Sequence, residues 1–206
     1  MRILIVFLVL IMATLGNAIP RAEAGVDLGI SIGEEGLRGF SLSVGDYYRV
    51  PQREIVIIRE RGIPYEEMPV VLFLAGRAHV APGVIVDLRL RGMSWMDITF
   101  HYGLSPEIYY VPLRTAPGPP YGRAYGHYKK WPRKEWKKVR LGDDDVVNLV
   151  NLKFASEHYG RSPEEVIKMR SEGRNFVVIN EEIKRGKGQK EKGEKHGGKG
   201  KGKFKD

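Results

Sequence analysis

Cationic and aromatic side chains alternate between positions 121 and 140, and the residue types of this stretch point most directly to chemistry. Lysine and arginine neutralise phosphate, sulfate or carboxylate groups, while tyrosine and tryptophan rings stack on bases or sugar faces. The combination predicts a surface for an anionic polymer. The candidate polyanion-binding residues are Arg123, Tyr125, Tyr128, Lys129, Lys130, Trp131, Arg133, Lys134, Trp136, Lys137, Lys138 and Arg140, with Tyr121 as a further ring for stacking.

The same stretch also permits an interpretation without a ligand. It lies within residues 112–142, where the sequence Pro-Gly-Pro-Pro and further glycines predict a long loop. A loop of this length in a compact domain is usually functional or disordered. It could instead fold back on the rest of the chain, with its aromatic rings covering that surface and its lysines in solvent. The sequence leaves both interpretations open.

Patterns of catalytic and metal sites are missing from the sequence. The chain has no Cys, its five His residues show no metal-ligand spacing, and no nucleophile elbow, P-loop or dinucleotide fingerprint occurs. The three acids at 143–145 open a predicted helix, where capping and the helix dipole explain them better than a metal. We therefore expect no metal, no cofactor and no enzymatic activity. An enzyme whose site is assembled from distant residues is an alternative.

The net charge of +9 is concentrated in two segments. Residues 115–140 contain eight Lys or Arg and one Glu, and residues 184–206 contain ten Lys or Arg and three acids, so each carries +7. The remaining residues are therefore acidic in sum. Basic segments of this kind increase the rate and strength of association with anions. Residues 184–206 contain one Phe and none of the Tyr or Trp residues that would add specificity.

A helical unit recurs three times along the chain. Each copy has an Arg three residues before a Gly and six residues before an aromatic residue, which predicts a helix, a glycine turn and a second helix. We expect the aromatic residues to lie in the core between the helices, because repeat units bury their seams in one another. Ser94 and Asn175 are predicted N-caps, and Pro64 takes that position in the first unit. The repeat positions are Arg59, Gly62 and Tyr65; Arg89, Gly92 and Trp95; and Arg170, Gly173 and Phe176.

The second unit reads Arg-x-x-Gly-x-Ser-Trp-x-Asp-Ile at 89–98, followed by His-Tyr-Gly-Leu-Ser-Pro-Glu at 101–107. This resembles helical units of uncharacterised exported bacterial proteins with the pattern R-x-x-G-x-S-W-x-[D/E]-I. The resemblance covers residues 51–111 and 144–183 and implies neither an activity nor catalytic residues. The turn recurs at 158–164, and it also resembles the turn between the two helices of a helix-turn-helix motif. Expected export and the acidic repeats argue against intracellular nucleic acid as a partner.

Two segments are predicted to form β structure. Apolar residues alternate with polar ones at 26–32 and again at 40–44, on either side of a Gly-rich turn, which is typical of a β-hairpin. A lone hairpin is marginally stable, and residues 108–111 are a candidate third strand.

The first 24 residues have the features of a secretory signal peptide. Met1 and Arg2 precede an apolar run to Ala13, and Ala22-Glu23-Ala24 matches a cleavage site. The run is too short to span a bilayer. We expect a periplasmic or extracellular protein with no transmembrane segment after cleavage. At the other end, residues 186–206 are rich in Lys and Gly, which predicts disorder.

The sequence thus predicts a mainly α protein of repeated helical hairpins. Its predicted parts are a signal peptide (1–24), a β-hairpin (25–50), helical units 1 and 2 (51–111), a basic aromatic loop (112–142), helical unit 3 (143–185) and a disordered basic tail (186–206). The first functional hypothesis is an exported, non-enzymatic interaction or structural protein with an unknown protein partner. The alternative is a peripheral binder of anionic envelope surfaces or polyanions through the loop and tail.

Overall fold

The computed structural model describes residues 33–196, with side chains described up to 186, and this part of the chain is helical. No strand occurs between 33 and 196, so the predicted mainly α class is confirmed there. Short 3₁₀ turns lie at Tyr65–Glu67, Pro106–Tyr109 and Arg133–Lys138. The α helices are α1 (Glu34–Tyr48), α2 (Gln52–Glu60), α3 (Met68–Ala78), α4 (Pro82–Leu90), α5 (Trp95–His101), α6 (Gly122–Lys130), α7 (Asp143–Tyr159), α8 (Pro163–Ser171) and α9 (Phe176–His196).

The three predicted repeats are the hairpins α2–α3, α4–α5 and α8–α9. In each, the Gly N–H donates to the carbonyl oxygen of the repeat Arg three residues earlier, at 2.9, 2.9 and 3.1 Å. Gly62, Gly92 and Gly173 have φ values of +86°, +90° and +89°, so each supplies the left-handed residue that ends a helix. The glycine turns are therefore confirmed in all three units.

Within each unit the repeat Arg also lies over the repeat aromatic ring. The guanidinium carbon stands 5.4 Å from the ring centroid of Tyr65, 4.5 Å from that of Trp95 and 5.4 Å from that of Phe176. Trp95 and Phe176 are buried, as predicted, whereas Tyr65 is half-buried. A spacing of six residues brings the two side chains together because the glycine turn reverses the chain between them.

Replacing Gly92 by alanine is expected to lower the free energy of unfolding by about 1–2 kcal/mol, since an L-residue is strained in the left-handed region. A Cβ at this position would meet no atom within 4 Å, so strain alone would account for the loss. Urea denaturation of G92A would measure it. The control is Gly76→Ala, an exposed helical position in α3 with equal space for a Cβ. That change should stabilise by up to about 1 kcal/mol. Equal effects of both changes would contradict the prediction.

The predicted N-caps of the second helices are also present. The Ser94 hydroxyl accepts from the Asp97 N–H at 3.1 Å, and the Asn175 side chain accepts from the Val178 N–H at 3.0 Å. Pro64 offers no side-chain acceptor, and the first unit enters α3 through a 3₁₀ turn instead. Pro51 occupies the N-cap of α2.

Two of these helix starts donate a further hydrogen bond to a distant carboxylate. The Trp95 N–H donates to Asp143 Oδ1 at 2.8 Å, and the Phe176 N–H donates to Glu66 Oε1 at 2.6 Å. The two acids thereby satisfy donors that a helix leaves without intrahelical partners. The units are joined to one another and to α7 through these bonds.

The core lies around α3 and α7, which pack against each other. Every residue of α3 from Met68 to Ala75 is buried, and α7 is buried over most of its length. Helix α4 packs on α3, α8 packs on α7, and α1 packs on α9. The first and last described helices therefore lie side by side, and the chain forms a closed cluster around two central helices.

The predicted β segments are wrong wherever the structure describes them. Residues 40–44 belong to α1, whose Phe40 and Val44 are buried four residues apart on one helical face. The candidate strand at 108–111 overlaps a 3₁₀ turn, in which Pro106 holds the first position and Ser105 accepts from the Glu107 N–H at 3.3 Å. The first half of the hairpin, before residue 33, lies outside the described residues.

Disorder was predicted for residues 186–206, but residues 186–196 are helical, since α9 continues to His196. The packed start of α9 removes the cost of nucleation, and its Lys, Glu and Gln residues are good helix formers. Residues 197–206 and the expected signal peptide lie outside the described residues. Between 33 and 196, no single helix has the length and apolar character to cross a membrane; Tyr65–Ala78 and Pro82–Leu90 meet that criterion only as a pair bent by 119°.

Candidate functional site

The basic aromatic segment, residues 121–140, is folded, and the prediction of a long loop over 112–142 is wrong in this part. Helix α6 buries Tyr121, Ala124 and Tyr128 on one face and exposes Lys129 and Lys130. The positions 121, 124 and 128 follow helical periodicity. Pro132 ends the helix, since a residue before proline avoids the helical region, and the 3₁₀ turn at 133–138 follows.

Hydrogen bonds fix the aromatic rings of this segment. The Tyr128 hydroxyl donates to the Pro106 carbonyl oxygen at 2.7 Å, and the Tyr125 hydroxyl donates to that of Val111. The Trp136 indole N–H donates to the carbonyl oxygens of Tyr128 at 3.2 Å and Trp131 at 3.1 Å. The polar atom of each of the three rings thus has a partner within the protein, which holds the rings in one orientation.

Tyr110 is the centre of this aromatic cluster. Its ring centroid lies 4.5 Å from that of Trp136, 5.2 Å from that of Tyr128 and 5.7 Å from that of Tyr125. Tyr110 belongs to the candidate strand at 108–111, and its role in the aromatic cluster was not predicted. Its neighbours in the cluster are 15 to 26 positions away, and no local spacing indicates the contact.

The structure changes the part that the aromatic candidates can play. Tyr121 and Tyr128 are buried at 0% and 2% exposure, so stacking of their faces on a polymer is excluded, and Trp136 is 9% exposed. Tyr125 and Trp131 are half-buried. The interpretation in which aromatic rings cover the protein body therefore describes most of these residues correctly. The cationic candidates remain at the surface.

Four cations of the segment are used within the protein. Arg123 pairs with the buried Asp145 at 3.2 Å, and Arg133 pairs with Glu107 at 3.0 Å. Lys138 pairs with Glu135 at 2.5 Å and lies 4.9 Å from the Trp131 ring. The Arg140 guanidinium stands 4.3 Å from the Phe100 ring.

The remaining four cations are open to solvent. Lys130 is exposed near the Trp131 ring at 5.7 Å. Lys129, Lys134 and Lys137 are exposed, and among the described residues none of the three forms an ion pair. Unpaired ammonium groups at adjacent positions repel one another and attract anions. The segment thus presents a positive surface supported by a rigid aromatic interior.

A groove of about 340 Å³ opens beside this surface. Its lining consists of the aromatic residues Tyr110, Tyr125, Tyr128 and Trp136, of residues 113–117 and of Lys129. The Arg114 backbone N–H donates to Glu164 Oε1 at 2.9 Å, which ties residues 113–117 to the start of α8.

Burial raises the pKa of seven of the ten tyrosines. For Tyr159 burial raises the pKa to about 12, and for Tyr121 and Tyr128 the pKa lies higher still. An exposed tyrosine has a pKa of about 10. Because the folded state favours the neutral phenols, they stabilise it below about pH 10, and this stabilisation is lost as the pH rises through the folded values. The tyrosines with raised values are Tyr47, Tyr48, Tyr109, Tyr121, Tyr125, Tyr128 and Tyr159.

An alkaline titration is therefore expected to show delayed ionisation of the seven tyrosines whose pKa is raised. The buried majority should ionise only together with loss of the far-ultraviolet circular dichroism. Phenolate absorbance, recorded beside that signal, makes the measurement. Ionisation of all ten tyrosines near pH 10 in a protein that keeps its helices would contradict it.

A second cleft, of about 460 Å³, collects charged groups of both signs between α6, α7 and α8. Its lining includes Glu66, Arg123, Asp145 and Arg170. These groups are engaged: Asp145 accepts from the Gly142 N–H at 2.9 Å and pairs with Arg123, and Glu66 accepts from Phe176. The expected capping role of the acids at 143–145 is thus confirmed for Asp145. Between 33 and 186, no group of three or more His, Asp or Glu residues is arranged to hold a metal ion.

No family model matches the chain, and no curated protein or solved structure matches it. The resemblance of residues 51–111 and 144–183 to exported helical proteins stays a prediction. The geometry of the chain itself therefore carries the functional argument.

Proposed function

We propose that this chain is an exported, non-enzymatic binding protein and that its basic aromatic segment attaches it to anionic polymers of the cell exterior. One observation carries the proposal: the segment buries Tyr121, Tyr128 and Trp136, while Lys129, Lys134 and Lys137 are exposed and form no ion pair with any other residue that the structure describes. Exposed, unpaired cations on an ordered support are the feature that polyanion binding requires.

The charge distribution supports the same proposal. Residues 115–140 carry a net +7 although the chain outside the two basic segments is acidic. A folded, positively charged segment in an otherwise acidic protein orients the molecule as it approaches a negatively charged polymer. The second basic segment, 184–206, adds attraction but contains no Tyr or Trp.

The test is binding of the full chain to polygalacturonate, to DNA and to phosphatidylglycerol vesicles between about 50 and 200 mM salt. Wild type is expected to bind at least one of them, with affinity falling steeply as salt rises. The double variant Lys134→Glu, Lys137→Glu should bind at least about tenfold more weakly, since each surface lysine contributes about 1 kcal/mol toward an anionic surface.

The matched control is the double variant Arg53→Glu, Arg91→Glu. Both arginines are exposed, on α2 and at the end of α4, and the change in net charge is identical. Its affinity is expected to stay within about twofold to threefold of wild type, because only long-range charge is altered. Equal losses in the two double variants, or no binding by wild type at low salt, would overturn the proposal.

A further inference from the structure

The groove beside the basic aromatic segment has a composition that attraction of anions alone does not require. Its lining includes the aromatic rings of Tyr110, Tyr125 and Trp136. Its volume of about 340 Å³ lies at the lower end of the range for small-molecule sites. A site of this size accommodates one ring with its substituents rather than an extended chain. The groove therefore selects a unit of a polymer.

The groove is formed before any ligand arrives. The hydroxyl groups of Tyr125 and Tyr128 are fixed on backbone carbonyl oxygens, and the Trp136 indole N–H is fixed on two others. The lining residues 113–117 are held by the hydrogen bond that the Arg114 N–H donates to Glu164. A preformed site loses little conformational entropy when it binds.

Its polar groups define the complementary ligand. Because the Tyr125 hydroxyl donates to the Val111 carbonyl oxygen, its own oxygen can only accept a hydrogen bond from a ligand. Lys129 lines the groove and forms no ion pair with another described residue, and Arg114 is an exposed lining residue. A matching ligand carries O–H donors, an anionic group and an apolar ring face on one compact unit.

We propose that this groove binds the ring of a sugar acid, a uronate unit within an acidic polysaccharide. The inference rests on the proposed function and specifies its ligand. The C–H face of a six-membered sugar ring would lie on the half-buried rings of Tyr110 and Tyr125. One of its hydroxyls would donate to the Tyr125 oxygen, and its carboxylate would meet Lys129.

A DNA strand fits the groove less well. Its phosphodiester backbone presents acceptors and no O–H donor for the Tyr125 oxygen. DNA is therefore expected to bind through the exposed lysines alone.

The experiment compares three probes on the full chain: an oligomer of galacturonic acid, a neutral galactose oligomer of equal length, and single-stranded DNA of equal charge. The test variant is Ala116→Trp, which fills the groove from its exposed wall without changing any charge. The control is Ala81→Trp, an exposed alanine outside the groove before α4. Thermal unfolding shows whether each variant is folded.

Wild type is expected to prefer the acidic oligomer over both other probes. Ala116→Trp should weaken that binding by about tenfold, or 1.4 kcal/mol, and leave DNA binding unchanged. A loss of DNA binding alone, an equal loss for both probes, or equal affinity for the neutral oligomer would overturn the sugar-acid assignment while the proposed function stands. If wild type binds none of the probes, both proposals fail.

A second pair of variants tests the positive charge of Lys129 in the groove without adding bulk. Lys129→Gln and Lys134→Gln remove one exposed charge each from the same segment, and only Lys129 lies at the groove. Both should weaken DNA binding equally. Lys129→Gln should weaken binding of the acidic oligomer several-fold more than Lys134→Gln, and equal losses would contradict contact between the carboxylate and Lys129.

Discussion

Replacing Trp95 by alanine lowers the expected free energy of unfolding by about 3–5 kcal/mol, the range for removal of a fully buried large aromatic side chain. Trp95 is 0% exposed at the start of α5 and packs under the Arg89 guanidinium. Its removal would leave a cavity at the seam of the second unit and deprive Arg89 of its stacking partner. Urea denaturation followed by circular dichroism measures the loss.

The repeats supply matched comparisons for this experiment. Phe176, at the same position of the third unit, is 1% exposed, and F176A should also lose about 3–5 kcal/mol. Tyr65, in the first unit, is half-buried, and Y65A should lose only about 1–2 kcal/mol. If Y65A destabilises as much as W95A, burial at the seam is not the cause of the effect.

The second large effect is expected for Arg89→Ala. Arg89 donates to both carboxylate oxygens of Glu67 at 3.1 Å, to Asp143 at 2.5 Å and to the Met93 carbonyl oxygen at 3.2 Å. Removing it would leave two partly buried carboxylates without their cation. Loss of one member of a buried network costs 3–5 kcal/mol, and the remaining solvent exposure reduces this to about 2–3 kcal/mol.

Arg59→Ala is the control at the same repeat position. Arg59 is exposed and lies over Tyr65, so its loss should cost no more than about 1 kcal/mol. Arg89→Lys tests geometry separately, because lysine keeps the charge but cannot bind a carboxylate in bidentate fashion. We expect R89K to lie between wild type and R89A. Stability equal to wild type in R89A would show that the network contributes nothing net.

The helical units could be predicted from the sequence because their determinants are local. An Arg, a Gly and an aromatic residue within seven positions fix a helix end, a left-handed turn and a helix start, and each contact is made within the unit. The Ser94 cap is equally local. The distant acids Glu66 and Asp143 were not predicted as partners of these units, since nothing near them in sequence identifies the helix that they cap.

The β-hairpin prediction is wrong because the alternating serines of α1 form hydrogen bonds within the helix. The alternation predicted that Ser41 and Ser43 face solvent from a strand. Instead, each hydroxyl donates to the carbonyl oxygen four residues earlier, at 2.9 and 3.0 Å. This hydrogen bond allows serine inside a helix. The apolar residues Phe40 and Val44 satisfy a period of two and a spacing of four alike, and packing decides between them.

The composition of the sequence located the candidate site but did not predict its three-dimensional structure. Residue types identified the basic aromatic segment, since charge and rings are properties of the sequence. Burial of its rings depends on contacts with residues 106–111 of the chain, such as the bond from Tyr128 to Pro106. The groove beside Tyr110 arises from the same long-range contacts, so composition could not indicate it.

The carboxylate of Glu66 at the start of α9 has a consequence for the order of folding. Glu66 and Phe176 are separated by 110 positions, and α1 packs on α9. During synthesis the first two units leave the ribosome long before these partners exist. Contacts of such sequence separation slow folding, and fragments ending before α7 should lack a stable native state. The chain is therefore expected to fold cooperatively once α9 is available rather than unit by unit.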